Sequence, residues 1–188
     1  MPDSEIHFFP TYYEYEEGEK YLKNILLETN WRQDKINLYG KIHNVPRLTA
    51  WYGDEGKSYT YSGIEMIPVP WTQSLLEMKN KIQSDFNIKV NSVLINYYRN
   101  ENDYVAWHSD DEKELGQNPT IASLSFGGER RFAFKHRTNS NIRRSEINLT
   151  HGSLLLMKGV TQKFWEHSIP KSTKNTEPRI NLTFRYII

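Results

Sequence analysis

The sequence predicts a mainly-β protein with flanking helices, of the α+β class, and three observations carry that prediction. Two N-terminal stretches place apolar residues at helical spacing, short β-patterned segments follow one another from residue 90 onward, and those segments are not separated by helical crossovers. Residues 18–30 (GEKYLKNILLETN) bring Tyr21, Leu22, Ile25 and Leu26 onto one face of an amphipathic helix. Residues 36–67 are rich in β-branched and aromatic side chains but are broken by Gly40, Gly53, Gly56 and Gly63, which suggests short strands and hairpins. Residues 72–86 repeat the helical pattern with Leu75, Leu76, Met78, Ile82 and Phe86, and Thr72 stands where an N-cap belongs. Strands are then expected at 90–98, 120–126, 130–136, 152–158 and 179–187. Strands at such intervals imply a sandwich, barrel or jelly roll, with two helices packed on it.

The chain has 188 residues and a mass of 22.3 kDa, the size of one domain. At 37% hydrophobic and 25% charged residues it can build a core and is not disordered by composition. Its longest apolar runs, such as Leu154–Met157, fall far short of the roughly 20 residues that span a bilayer. The start, Met1-Pro2-Asp3-Ser4-Glu5, has neither the basic nor the apolar stretch of a secretory signal, so an intracellular protein is expected, whether in a bacterial cytoplasm or a nucleus. The absence of cysteine excludes disulfides, thiolate metal sites and cysteine nucleophiles. The net charge of +1 is unevenly spread: residues 1–128 balance at −7 and residues 129–188 at +8. A basic half of this kind is either a solvated surface or the footprint of a polyanion partner.

The last strand carries the most chemical information. Alternation puts Ile180, Leu182, Phe184 and Tyr186 on one face and Arg179, Asn181, Thr183 and Arg185 on the other. That polar face either meets water or lines a concave anion site, where arginine's planar fork grips a carboxylate at two points. The second feature is His108-Ser109-Asp110: in extended chain, positions i and i+2 point the same way and both side chains can hold one metal ion. A third ligand would come from His7, His43, His136, His151 or His167. Of these, His136 is flanked by Lys135 and Arg137, His151 precedes Gly152 in a turn-like stretch, and His167 lies in an aromatic-flanked segment. Two histidines and a carboxylate suit a non-haem Fe(II) oxygenase or a catalytic zinc site. The arginine face favours the oxygenase, which consumes a dicarboxylic co-substrate.

Six runs resemble the AlkB family of Fe(II)- and 2-oxoglutarate-dependent dioxygenases. They are Leu94-Ile95-Asn96-Tyr97-Tyr98, His108-Ser109-Asp110-Asp111-Glu112, Ile121 to Gly127, His151-Gly152-Ser153-Leu154-Leu155 with Trp165 to Pro170, and Pro178 to Arg185. The resemblance covers roughly residues 7–188, with the motifs in family order, and is nearest to the members that repair double-stranded DNA. It implies a single domain over 1–188, with N-terminal helices and a nucleotide-recognition hairpin region at about 7–90. A double-stranded β-helix (jelly-roll) core would follow at about 90–188. It further implies His108, Asp110 and His167 as iron ligands, and Arg179 and Arg185 as anchors for 2-oxoglutarate, with Asn96, Tyr98 and Thr183 adding hydrogen bonds.

For the substrate, the resemblance places Tyr39 and Gly40 at a hairpin tip that enters the base stack. It places Tyr59, Tyr61 and Ser62 beside a flipped base, with Tyr61 stacking on it, and Asp111 and Glu112 where carboxylates would read a methylated, cationic base. Arg47, Arg130, Arg131, Lys135 and Arg137 become candidate phosphate contacts, and 136–145 a mobile basic loop. The implied reaction is oxidative demethylation of 1-methyladenine and 3-methylcytosine in DNA. It would consume O2 and 2-oxoglutarate and release formaldehyde, succinate and CO2, by a monomer without membrane contact. Alkylated duplex DNA is the favoured substrate; single-stranded DNA or RNA, or non-catalytic nucleic-acid binding, are the alternatives.

Overall fold

The computed structural model describes Met1–Ile188 except residues 39, 57, 58, 62, 63 and 67; for residues 37, 38, 59–61 and 64–66 it describes the backbone alone. Along the chain run β1 (Glu5–Phe9), α1 (Tyr15–Glu28), β2 (Lys35–Leu38), β3 (Lys41–Asn44), β4 (Leu48–Gly53), β5 (Tyr59–Tyr61), β6 (Ile64–Met66) and α2 (Gln73–Phe86). There follow β7 (Ser92–Tyr98), β8 (Val105–His108), a 3-10 turn (Lys113–Leu115), β9 (Ile121–Gly127), β10 (Arg130–His136), β11 (Ser145–Leu149), β12 (Leu154–Lys158), α3 (Thr161–Phe164), β13 (Trp165–Ile169) and β14 (Arg179–Arg185).

The strands form a six-stranded sheet, β1-β12-β9-β14-β7-β4, facing a four-stranded sheet, β11-β10-β13-β8; β2-β3 and β5-β6 are separate hairpins. All pairings within the named strands are antiparallel. Two facing sheets with antiparallel, non-sequential strand order are the jelly-roll arrangement expected from the sequence.

Three layers result, because the larger sheet is covered on both faces. Helices α1 and α2 lay Tyr21, Ile25, Leu75, Met78 and Ile82 on its outer face, against Ile95, Leu124, Phe126, Ile180, Leu182 and Phe184. Thr72 caps α2 by accepting the Leu75 N–H, and Asn87 ends it in the left-handed conformation (φ 49°). A second core of Leu94, Phe132, Phe134, Leu155, Met157, Trp165 and Ile169 fills the space between the sheets. Strand β14 lies in the middle of the larger sheet, between β9 and β7, and is buried along its whole length. Its polar face therefore does not meet water: Arg179, Asn181, Thr183 and Arg185 point into the space between the two sheets.

The sequence reading missed four strands and one helix. β1, β8, β11 and β13 have four or five residues each, and α3 has four, too few to establish a period. The basic connection after β10 is shorter than expected, because β10 runs to His136 and β11 begins at Ser145.

Candidate functional site

Register brings the ligand residues together. In the smaller sheet β13 pairs with β8 so that His167 stands directly opposite His108, while Ile169 stands opposite Val105. Three residue steps on β8 thus face two on β13, a bulge that re-aims the bulged strand so that Val105 and His108 both line the pocket. The two imidazole centroids lie 4.3 Å apart, and Asp110, two residues beyond the end of β8, completes a group whose ligand atoms all lie within 4.8 Å of one another. Among the described residues the other histidines lie away from this cluster, and His7 and His43 are exposed. His151 Nδ1 accepts the Gly127 N–H, and His136 lies against Phe164 and Trp165 with Asp3 at 3.4 Å.

Each ligand is held from behind. His108 Nδ1–H donates to the Ala106 carbonyl at 2.9 Å, which leaves Nε2 as the free lone pair. Phe132 stacks on His167 with centroids 5.0 Å apart. Asp110, 2% exposed, has one carboxylate oxygen bonded to Arg185 Nη2 and the other 3.7 Å from His167 Nε2. Burial opposes the charge on Asp110, but the Arg185 guanidinium outweighs it and keeps the carboxyl below its usual range. Burial, reinforced by His108, pushes His167 down to about 3, and burial also lowers His108. Two neutral imidazoles beside an ionised carboxylate are ready to bind a divalent cation without losing protons.

A stability signature follows. Because the folded pKa of His167 lies below its ordinary 6.5, only the unfolded chain takes up that proton between about 6.5 and about 3. The contribution is complete above pH 6.5 and is lost as the pH falls. The metal-free protein should therefore lose stability from pH 6.5 to 5 at up to about 1.4 kcal/mol per pH unit for this histidine. Urea unfolding midpoints at pH 7.5, 6.5 and 5.5 measure it, and a flat series would contradict a neutral buried His167.

The larger sheet supplies the opposite wall. Arg179 pairs with Tyr98 and Gly127 across the sheet, Asn181 with Asn96 and Ser125, and Thr183 with Leu94 and Ser123, so that polar side chains of β7, β14 and β9 stack in rows. Gly127 (φ +89°) ends β9 where an added Cβ would meet the Pro178 carbonyl oxygen at 2.2 Å, so only glycine allows that approach beside Arg179. Arg179 is fully buried. Its Nη2 donates to Ser125 Oγ (2.9 Å) and Asn181 Oδ1 (2.8 Å), and its guanidinium lies 5.3 Å from the Tyr98 ring centre. Its Nε and Nη1 have no hydrogen-bond partner among the described residues. Burial pushes this guanidinium down to about 10, still charged at neutral pH. A buried cation with two idle donors in a fixed fork suits a carboxylate.

Of the sequence-predicted residues, the structure thus gathers His108, Asp110 and His167 in one cluster. Asn96, Tyr98, Thr183 and Arg185 line the same pocket, and Arg179 lies beside Tyr98 at its edge. Arg47 is a correction: it is not a surface phosphate contact but is 7% exposed, with Nε on Asn96 Oδ1 at 2.7 Å and Nη1 on the Tyr104 carbonyl, and it lines the pocket. Arg130 is another, since it is buried and spends its donors on the carbonyls of Asn100, Asp103 and Pro170, tying three loops together. Arg131, Lys135 and Arg137 are ion-paired with Glu146, Glu166 and Asp111. Asp111 accordingly pairs with Arg137 at 2.6 Å, outside the residues lining the pocket, and Glu112 precedes the 3-10 turn. Gly40 (φ +79°) precedes the exposed strand β3, whereas Tyr39 and Ser62 lie outside the described residues, as do the side chains of Tyr59 and Tyr61. Asn181, on the polar face the alternation picked out, lines the pocket, whereas Ser123, Ser125, Phe132 and Gln162 were not foreseen as parts of the site. The two serines alternate with Ala122, Leu124 and Phe126 in an apolar strand, a period-two signal that was there to be read.

Two imidazoles and one carboxylate beside buried arginines form the donor set of a mononuclear Fe(II) oxygenase that uses an anionic co-substrate. The family profile described as the 2OG-Fe(II) oxygenase superfamily matches residues 5–185. The chain is 41% identical over 192 residues to the alpha-ketoglutarate-dependent dioxygenase alkB homolog 3 of Homo sapiens, covering 98% of this chain and 66% of that protein. It is 42% identical over 160 residues to the DNA oxidative demethylase ALKBH2 of Homo sapiens, covering 82% of this chain and 61% of that protein. A solved structure of OsALKBH1 superposes with a TM-score of 0.60 at 13% identity, covering 96% of this chain and 97% of that one, a likeness of fold. The chain belongs to the 2OG-Fe(II) oxygenase superfamily and, within it, to the AlkB family. It spans just under two thirds of the length of the alkB homolog 3 relatives. Its donor set fits Fe(II), with 2-oxoglutarate and O2 as co-substrates.

Proposed function

We propose that the chain is an oxidative demethylase that removes N-alkyl groups from nucleic-acid bases, 1-methyladenine and 3-methylcytosine in DNA foremost. The observation that carries this reading is the His108-Asp110-His167 cluster, bonded from the opposite wall by Arg185, with the unfilled donors of Arg179 at the pocket's edge. The kinship with a DNA oxidative demethylase and an alkB homolog adds the substrate class.

His108, Asp110 and His167 hold the metal, and Arg185 fixes the carboxylate of Asp110. Since Arg185 stands against a metal ligand, it serves the keto-acid end of 2-oxoglutarate, and Arg179, six residues along the strand, takes the distal carboxylate. Asn96, Tyr98 and Thr183 line the space between. Bound Fe(II), with O2 and 2-oxoglutarate, supplies the two-electron oxidation that hydroxylates the N-methyl carbon, after which formaldehyde leaves and succinate and CO2 are released. The buried walls exclude water, and the protein's part is positioning.

Extruding a base from a duplex costs a few kcal/mol, and the β2–β3 hairpin, whose β3 residues are all exposed with Ile42 at 73%, is the element suited to enter the stack. Tyr39, which follows β2 in the sequence, is assigned as the wedge, and Tyr61 as the residue that stacks on the extruded base, both on the strength of the family resemblance. Methylated oligonucleotides, single- and double-stranded, DNA and RNA, should be demethylated with matching 2-oxoglutarate consumption. Tyr39→Ala should slow duplex repair about tenfold while leaving single strands nearly unchanged. Equal loss on both would favour a single-strand or RNA enzyme, and metal-independent binding without turnover would favour a non-catalytic binder.

A further inference from the structure

Gln162 belongs neither to the metal ligands nor to the arginine wall, yet it touches the centre from behind. It sits in α3, the short helix leading into β13, and is 1% exposed. Its Oε1 accepts the Asp110 N–H at 3.0 Å, and its Nε2 donates to Met157 Sδ at 3.5 Å. Its main-chain carbonyl accepts from Arg137 Nη1 at 3.2 Å, and the same nitrogen donates to Asp111 Oδ2 at 2.6 Å. Ser109 Oγ adds a bond to the Trp165 carbonyl at 2.9 Å. Residues 109, 110 and 111 are thus each tied to the segment that delivers His167.

The distribution of constraints gives this contact its meaning. His108 and His167 are set by strand register, but Asp110 lies past the end of β8, where no ladder bond fixes its backbone. Arg185 constrains the carboxylate only. The Asp110 N–H is buried and needs an acceptor, and Gln162 supplies it. The weakly accepting sulfur of Met157 takes the NH2 group, which turns the amide oxygen toward Asp110.

We propose that Gln162 is a positioning residue for the metal centre: its amide oxygen fixes the backbone from which Asp110 reaches the metal, and the Arg137 bridge braces it from outside. This rests on reading His108, Asp110 and His167 as the Fe(II) site, and the test separates the two. Mn(II), a redox-silent stand-in, is titrated into the full chain, with free Mn(II) followed by electron paramagnetic resonance. If the unaltered protein binds no Mn(II), the metal-site reading fails whatever Gln162 does. If it binds, Gln162→Met, which keeps the volume but removes the acceptor, should weaken Mn(II) about 10- to 100-fold, the scale of lost support behind a ligand. A purely structural role would lower the metal-free unfolding midpoint and leave the Mn(II) affinity of the folded protein within about twofold, and that result overturns the proposal. Should Gln162→Met fail to fold, Arg137→Ala, at a half-exposed site, decides. Weakening of about threefold supports the brace, and unchanged affinity overturns it.

Discussion

Asp110→Ala should damage the protein in two separable ways: turnover of 2-oxoglutarate falls below detection, and the metal-free protein loses about 3–5 kcal/mol of stability. The first loss follows from removing the only carboxylate in the ligand cluster. The second follows from Arg185, which is 2% exposed and has the Asp110 carboxylate as its counter-charge. Taking away one partner of a buried pair strands the other in a medium that solvates it poorly. His167→Ala also removes a ligand but leaves the Asp110–Arg185 pair standing, so it should abolish turnover at a smaller cost in stability. Asp110→Asn, which keeps the shape and one acceptor oxygen, should fall between them. Denaturant midpoints of the three metal-free variants, alongside succinate yield, test the ordering. If Asp110→Ala and His167→Ala were equally stable, the ion pair would contribute little to the fold.

That double role was not visible along the chain, and the reason is physical. The alternation of Arg179-Ile180-Asn181-Leu182-Thr183-Phe184-Arg185 fixed two faces at once, because strand periodicity is a local property. Whether the polar face met water or another sheet depended on where β14 sits in the sheet order, and its burial on both sides is set by strands and helices distant in sequence. His108 and Asp110 were legible as a local pair, whereas among five histidines only the family resemblance pointed to His167, and the β8–β13 register with its bulge gives the physical reason. Arg47 and Arg130 were misread as surface cations for a similar reason: charge suggests exposure, but a guanidinium with five donors can be buried when carbonyls from several loops converge on it. Gln162 gave no signal at all, since its partner is a single backbone N–H that only the fold brings near.

Arg179 should behave in the opposite way to Asp110, although both are buried charges, one at the pocket's edge and one in its wall. Its Nη2 is engaged by Ser125 and Asn181, but no carboxylate stands against it among the described residues, and its Nε and Nη1 are idle. In the metal-free, ligand-free protein this cation is therefore a liability held in place by the fold, and Arg179→Met, similar in length and apolar, should leave stability unchanged or raise it. The same change should raise the KM for 2-oxoglutarate about 100-fold or more, the consequence of losing one side of a charge-assisted pair. Saturating 2-oxoglutarate with Mn(II) should stabilise the unaltered protein by about 2.7 kcal/mol at a concentration one hundred times Kd, a response the variant should lack. A variant that is both less stable and still responsive would mean that the guanidinium serves the fold, not the co-substrate. The pairing of outcomes matters because a residue kept for binding leaves its donors idle until the ligand arrives. Asp110, by contrast, already has its partner in Arg185, and the fold has come to depend on it.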